Sequence, residues 1–500
     1  MRDEMPLPEN HSSAPADGPR MRRRGPRSAG PDVDPARLAC LHALTKVRED
    51  DAYANLVLPT ILDQARLGRR DAGFATALTY GTLRLQGRYD AIISRCIDRP
   101  LDRVDAVVRD VLRLGAHQLL AMRVPTHAAV STTVDLAAYS AGRGASGFVN
   151  AVMRRISAHD LAEWAAELRA DAPDATTALS RVHSHPAWVV KAMRQALKVN
   201  GREDADGELE ALLEADNTDP QVTVCARPGL ISVDELAEQV YAATGEDPTP
   251  GRLSPYALVL SGGDPGRIEA VRDSRAGVED EASQLVALML AHAPLEGDDK
   301  RWLDLCAGPG GKAALLGAVA ADRGATLVAN EVTPHRARLV EGAVRAIPEG
   351  VVTVRTDDGR NIGRQEPGAY DRILVDAPCT GLGSLRRRPE ARWRRTPQDV
   401  AALAELQREL LAGAARAARP GGLIAYVTCS PHALETSLVV RDVTRQAARD
   451  GITLEPLHAG SVAADLAPQA PAGAGRQLLQ TWPHLDDSDA MFCALLRRTV

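Results

Sequence analysis

Apolar positions along the chain follow three regimes. Across residues 34–158 they recur at helical spacing. Val104, Val107, Val108, Val111, Leu112 and Leu119 share one stripe, and Val149, Val152, Met153 and Ile156 form another at i, i+3, i+4 and i+7. Pro125 ends the first of these helices, and Thr126 is in position to cap the next, which carries Val130, Val134 and Ala137. No strand-like alternation interrupts this stretch, so an all-α domain is expected over 34–160. Residues 161–265 are mixed, with helical patterns at 187–197, 208–214 and 233–243 and strand candidates at 221–226 and 256–260. A small α+β connector is expected there. From 266 to 500 strands and helices alternate. Strand candidates at 302–305, 326–330, 351–355, 372–375, 423–428 and 491–496 are separated by helical patterns such as 334–346, 397–418 and 434–448. That rhythm predicts βαβ units and a mostly parallel, Rossmann-like α/β sheet.

Composition sharpens this picture. Of 500 residues, 45% are hydrophobic and 25% charged, which excludes wholesale disorder and fibrous classes. Aromatics are only 3%, so the core must be built from Ala, Val and Leu. A formal charge of −6 excludes a globally basic coat, and any nucleic-acid contact must come from a local patch. Lys is scarce (Lys46, Lys191, Lys198, Lys300 and Lys312), so Arg counts alone carry little information. The 7 cysteines include no CxxC pair, which argues against a structural zinc and predicts no metal. An odd count without a secretory signal suggests reduced thiols in a cytoplasm. No apolar run approaches the length of a membrane span. Residues 1–33, rich in Pro, Gly, Ser and Arg, read as a disordered basic tail that is solvated or tethers RNA weakly.

Ligands of doubly wound sheets bind beyond the carboxyl ends of the strands, so the chemistry is expected there. The first strand runs into Cys306, Ala307, Gly308, Pro309, Gly310, Gly311 and Lys312, which open a helix. Glycines allow close backbone approach, and a helix N-terminus offers free N–H groups. Glu331 ends the second strand, where a carboxylate can accept from both ribose hydroxyls. Asp358 ends the third and could accept from an adenine amino group. The set describes a nucleoside-binding crevice. The loop also fits the G-x-G-x-x-A pattern, so a nicotinamide cofactor is a rival.

Two further segments weigh against that rival. The fourth strand ends in Asp376-Ala377-Pro378-Cys379, and the fifth in Thr428-Cys429-Ser430. A dehydrogenase has no need for two thiols at one edge. Carbon 5 of a pyrimidine is a poor nucleophile until a thiolate adds to carbon 6, and a free thiol is only a few per cent ionised at neutral pH. Asp376 could stabilise the adduct at ring nitrogen 3. Chemistry alone does not order the two cysteines. Arg386, Arg387, Arg388, Arg392, Trp393, Arg394 and Arg395 follow directly. This basic run is expected to meet RNA phosphates and bases, or to be a solvated loop. Ser283, in Val278-Glu279-Asp280-Glu281-Ala282-Ser283, is expected only to pack.

These motifs resemble those of RNA 5-methylcytosine methyltransferases. The helical region, above all Phe148-Val149-Asn150-Ala151-Val152-Met153-Arg154-Arg155, resembles NusB-type RNA-binding domains. The combination is similar to bacterial small-subunit rRNA cytosine-5 methyltransferases of the RsmB (Sun/Fmu) type. That resemblance implies S-adenosylmethionine as cofactor, held by Cys306 through Lys312, Glu331, Asp358 and Asp376. It implies Cys429 as nucleophile and Cys379 as the release thiol. It also implies 16S rRNA as partner. The protein is expected to be a monomer. Where the family has Asp at the second strand end and Gly in the closing segment, this chain has Glu331 and Ala490. Rival readings are an RNA-binding regulator with an inactive catalytic domain, or the same chemistry on tRNA or 23S rRNA.

Overall fold

The computed structural model describes residues 33–500. All but the last residue of the expected tail lies outside the described residues. Helices Pro35–Glu49, Ala54–Ala65, Arg69–Arg84, Gln86–Arg95, Ala106–Leu120, Thr126–Ser140 and Arg143–Ile156 surround a core that includes Leu78, Ile92, Val111, Leu112 and Met153. Asp105 caps the helix beginning at Ala106 by accepting from Val107 and Val108 N–H. Thr126 does not act as the expected cap. Pro125 occupies the cap position, and no side chain accepts there. The rigid Pro125 backbone sets the entry angle instead.

Packing moves both edges of the connector. Trp164, Leu168 and Val182 join the core of the helical domain. Helices Ala187–Val199 and Ala205–Ala215 instead pack against Leu382, Leu385, Ala391 and Trp482 of the α/β domain. The connector sheet contains β1 (Val222–Ala226), β2 (Thr249–Pro250), β3 (Ala257–Leu260) and β4 (Ala276–Val278), in the order β2-β3-β1-β4. Strand β4 lies beyond the expected boundary at 265. It has three residues and exists by antiparallel pairing with β1, a signal too short to read locally.

The main sheet comprises β5 (Arg301–Asp304), β6 (Thr326–Asn330), β7 (Val352–Arg355), β8 (Tyr370–Asp376), β9 (Ala418–Thr428), β10 (Leu454–Pro456), β11 (Leu479–Gln480) and β12 (Phe492–Arg498). Its order is β10-β12-β9-β8-β5-β6-β7, with β11 pairing on β12. Strands β5 to β9 are parallel, and β12 returns antiparallel to β9. Helices Glu281–His292 and Gly311–Asp322 cover one face. Helices Pro397–Ala417 and Ser437–Arg449 cover the other. Each buried Leu, such as Leu285, Leu288 or Leu411, contributes about 1.5–3 kcal/mol. The winding reverses at β5, which lies between β6 and β8. That switch point opens a crevice at the carboxyl ends of β5 and β8 and brings the Asp304 and Asp376 segments side by side.

Candidate active site

The glycine-rich loop leaves β5 and turns into the helix Gly311–Asp322. Gly310 sits at the cap position with φ +116°, a conformation that L side chains rarely adopt, and no side chain caps the helix. The first-turn N–H groups are therefore available to an anion. At Gly308 an added Cβ would overlap Glu331 Oε2. Glu331 is buried and accepts from Gly308 N–H (3.1 Å) and Thr333 N–H (2.9 Å), with Arg336 at 3.4 Å. It closes the loop from the end of β6. The Asp358 carboxylate, about a third exposed, is engaged by the backbone N–H and guanidinium of Arg360.

Lys312 projects away from the loop toward the thiols. Its Nζ lies 2.9 Å from Asp376 Oδ2. Burial works against its charge, but Asp376 and Glu279 outweigh burial and hold the ammonium above its ordinary range. Asp304 is buried, and its Oδ1 has no hydrogen-bond partner. Burial and then Asp376 push its carboxyl up to about 8. Glu279, from the segment after β4, is also raised by burial. Its carboxylate lies over Gly311, and its backbone carbonyl accepts from Gln284 Nε2 at 2.9 Å. The sequence reading missed Glu279. The one available signal was an acid directly before a helix cap. Three carboxylates thus surround one ammonium beside a bare helix N-terminus. A small zwitterion with an additional cationic centre fits that donor set, its carboxylate on the helix and its cations among the acids.

The two expected thiols meet. Cys379 Sγ lies 3.2 Å from Cys429 Sγ, and both cysteines are free. The hydrogen bond shared with Cys379 lowers the Cys429 thiol against burial and Asp376, with help from Lys312 and Arg388. The same bond, burial and Glu435 push Cys379 well above the usual thiol range. The cations Lys312 and Arg388 act on Cys429, whereas the acid Glu435 acts on Cys379. The Gly383 N–H donates to the Cys429 carbonyl (2.9 Å), and the Ala490 N–H donates to the Gly383 carbonyl (2.8 Å). A side chain at Gly383 would overlap both neighbours. Ala490 thus fits the turn while Gly383 provides the space.

The basic run requires correction. Arg386 and Arg392 are buried and bond within the chain, so neither faces solvent or RNA. Arg392 donates to the carbonyls of Arg84, Ser184 and Asp216 and to Asn217 Oδ1. Arg386 pairs with Asp487 at 2.8 Å. Arg387 pairs with Asp280 and Asp489, and Arg394 donates to the carbonyls of Val47, Asp51 and Ala52. The Trp393 ring packs on Gly87. The run clips the helical domain to the α/β domain because burial of fixed guanidiniums demands many acceptors, which loop carbonyls supply. Arg388 and Arg395 have no ion pair among the described residues. Arg388 is exposed and lies over the Tyr53 ring at 5.5 Å. No cluster of three or more His, Cys, Asp or Glu among the described residues is arranged to hold a metal. None of the described helices is long and apolar enough to cross a membrane.

A switch-point crevice that suits a zwitterionic nucleoside cofactor, with a reactive thiol beside it, belongs to the class of Rossmann-like methyltransferases. Comparison with known proteins makes the class specific. The model of the family described as 16S rRNA methyltransferase RsmB/F matches residues 289–497, and the NusB family model matches residues 34–158. A Mycobacterium tuberculosis protein named "Putative methyltransferase Rv1407" is 49% identical over 477 residues, covering 95% of this chain and 99% of that one. The ribosomal RNA small subunit methyltransferase B of Pseudomonas syringae pv. tomato is 32% identical, over 81% of this chain and 85% of that one. The crystal structure of PH0851 shares the fold, with TM-score 0.73 at 19% identity, over 93% of this chain and 99% of that one. This chain belongs to the RsmB/F family of 16S rRNA methyltransferases and carries a NusB-like helical domain ahead of the catalytic domain. Its methyl donor is S-adenosylmethionine, and the acids and bare helix terminus around Lys312 fit that donor's methionine end.

Proposed function

We propose that this protein methylates carbon 5 of a cytosine in RNA, with 16S rRNA as the substrate, through a covalent Cys429 adduct resolved with Cys379. The reading is carried by the 3.2 Å approach of the two thiols at the cofactor edge. Bound S-adenosylmethionine supplies an electrophilic methyl group. The Cys429 thiolate, favoured by Lys312 and Arg388, adds to carbon 6 of the ring, and the displaced electron pair makes carbon 5 nucleophilic. Asp376 positions the ring through a hydrogen bond at nitrogen 3, and the Lys312 ammonium paired with it offsets the negative charge that thiolate addition brings to the ring. After methyl transfer, the carbon 5 proton passes to solvent water, its electron pair restores the carbon 5–carbon 6 double bond, and the Sγ–carbon 6 pair returns to the Cys429 sulfur. Cys379 supports that departure by donating to the leaving sulfur. Glu331 and Asp358 hold the ribose and adenine of the cofactor, with Cys306, Ala307, Gly308, Pro309, Gly310 and Gly311 lining its path. The likeness to relatives named for small-subunit rRNA supports the 16S substrate. Exposed Arg388 and half-buried Arg395 supply phosphate contacts, and the protein acts as a monomer in the cytoplasm.

The test separates the thiols. Cys379→Ala incubated with S-adenosylmethionine and a small-subunit rRNA transcript should accumulate a covalent protein–RNA complex on a denaturing gel. Cys429→Ala and the double variant should show no complex and no methylation. A complex with Cys429→Ala and none with Cys379→Ala would reverse the roles. Full activity of both single variants would remove the covalent route.

A further inference from the structure

The thiol pair is held from behind by a group that the chemistry above does not use. Glu435 is fully buried in the short turn Ala433–Glu435, just past the Cys429 loop. Its Oε1 accepts from Thr380 N–H (2.8 Å) and Gln407 Nε2 (3.2 Å). Its Oε2 accepts from Ser430 Oγ (2.6 Å) and from Thr380 Oγ1. Thr380 follows Cys379, and Ser430 follows Cys429. Thr380 Oγ1 and Ser430 Oγ also approach each other at 3.2 Å. One carboxylate therefore bridges the residues that follow both sulfurs. The turn carrying it is itself tied to β9, because Tyr426 Oη donates to the Glu435 carbonyl at 2.7 Å.

We propose that Glu435 is a positioning residue that sets the spacing of Cys379 and Cys429 and so controls release of the methylated base. The proposal rests on the two-thiol reading above. The two loops depend on Glu435 unequally. Cys429 ends a central strand flanked by β8 and β12, and the Gly383 N–H holds its carbonyl. Cys379 lies in an irregular loop, where Thr380 gives two of its hydrogen bonds to this carboxylate and Gln407 Nε2 holds the Pro378 carbonyl at 2.8 Å. Removing the carboxylate frees Thr380 N–H and two buried hydroxyls, those of Thr380 and Ser430. The Cys379 loop then loses its anchor while the attacking thiol keeps its own. Attack and methyl transfer continue, and release stalls. Gln at the same position retains one acceptor for Thr380 N–H, and its amide can donate to hydroxyls able to accept, so the bridge survives without the charge.

The test compares full-length wild type, Cys379→Ala, Glu435→Ala and Glu435→Gln on the same rRNA transcript. Covalent complex, kcat, KM for RNA, S-adenosylmethionine affinity and thermal unfolding are followed together. Glu435→Ala should lower kcat about tenfold or more and accumulate complex as Cys379→Ala does, with KM and cofactor affinity within about threefold of wild type. Glu435→Gln should restore turnover and abolish the excess complex. A Glu435→Ala enzyme with wild-type kcat and no complex would overturn the proposal, as would a Gln variant as impaired as Ala. If Glu435→Ala fails to fold, Thr380→Val removes one partner of the same carboxylate, and accumulation of complex is again expected. Wild-type release in Thr380→Val would count against the bridge. Absence of complex in Cys379→Ala removes the two-thiol reading itself, and that result is recognised without reference to any Glu435 variant.

Discussion

Arg392 Nη1, on the catalytic side of the chain, donates to the Arg84 carbonyl of the helical domain at 3.2 Å, and Arg84 Nε returns a hydrogen bond to the Arg386 carbonyl at 3.1 Å. The two domains are thus joined by reciprocal guanidinium-to-backbone bonds rather than by apolar contact alone. Burial lowers the Arg392 guanidinium to about 10, and it stays charged at neutral pH.

Arg392→Ala should leave several buried carbonyls without donors and open a cavity. A loss of about 3–5 kcal/mol is expected. Thermal unfolding should separate into two transitions as the domains uncouple. An unchanged single transition at the wild-type temperature would show that the clip contributes nothing to coupling.

Glu331→Ala should weaken S-adenosylmethionine binding about tenfold to a hundredfold, since one or two charge-assisted hydrogen bonds to a ribose contribute about 1.5–3 kcal/mol. Part of that loss will come from the loop, because Glu331 also accepts from Gly308 N–H. Asp358→Ala should first free Arg360, whose guanidinium now occupies the carboxylate. Calorimetry on both variants tests the roles. Unchanged affinity in Glu331→Ala refutes the ribose contact.

Arg388, Arg392 and Arg395 are the members of the basic run without an ion pair among the described residues, and of these only Arg392 is buried. Replacing Arg388 and Arg395 with Gln should weaken RNA binding and reduce the slope of log affinity against log salt by about 0.7 per lost phosphate contact. Cofactor affinity should not change. A salt slope equal to that of wild type would make both residues a solvated rim.

Stability should peak near pH 6.5. Burial raises Asp304 to about 8 and Asp216 to about 7, so from about pH 4 upward the folded state holds protons that the unfolded chain has already released, and above pH 6.5 nothing from the histidines offsets this. Stability therefore falls as pH rises from 6.5 toward 8, by up to about 1.4 kcal/mol per pH unit for each such carboxyl. Below pH 6.5 three buried histidines oppose these two carboxyls and outweigh them. Burial lowers His117 to about 3 and lowers His183 and His185 as well, so the unfolded chain gains protons below pH 6.5 and stability falls again. Denaturant titrations across this range test the shape. Asp304→Asn should flatten the alkaline limb, and a limb of wild-type slope would place the titration elsewhere.

Local pattern carried much of the fold. The strand expected at 326–330 is β6 residue for residue, and the apolar run at 423–428 is the buried end of β9, which extends back to Ala418. The glycine loop, the acids that end β6 and the loop after β7, and the two cysteines lie at one sheet edge because each follows a strand, and strand ends are legible from periodicity and turn residues. The distance between the thiols was not legible, since β8 and β9 are neighbours only through a crossover of some 40 residues. The fate of the Arg run was not legible either. Exposed and buried guanidiniums have the same letter, and whether Arg392 meets phosphate or four backbone and side-chain oxygens depends on where the helical domain docks. Glu279 and Glu435 went unread for the same reason. Neither belongs to a spacing pattern, and each gains its role from groups supplied by distant segments, Lys312 in one case and Thr380 in the other. Periodicity is a property of neighbouring residues, whereas the pairing of a buried charge is a property of the folded chain.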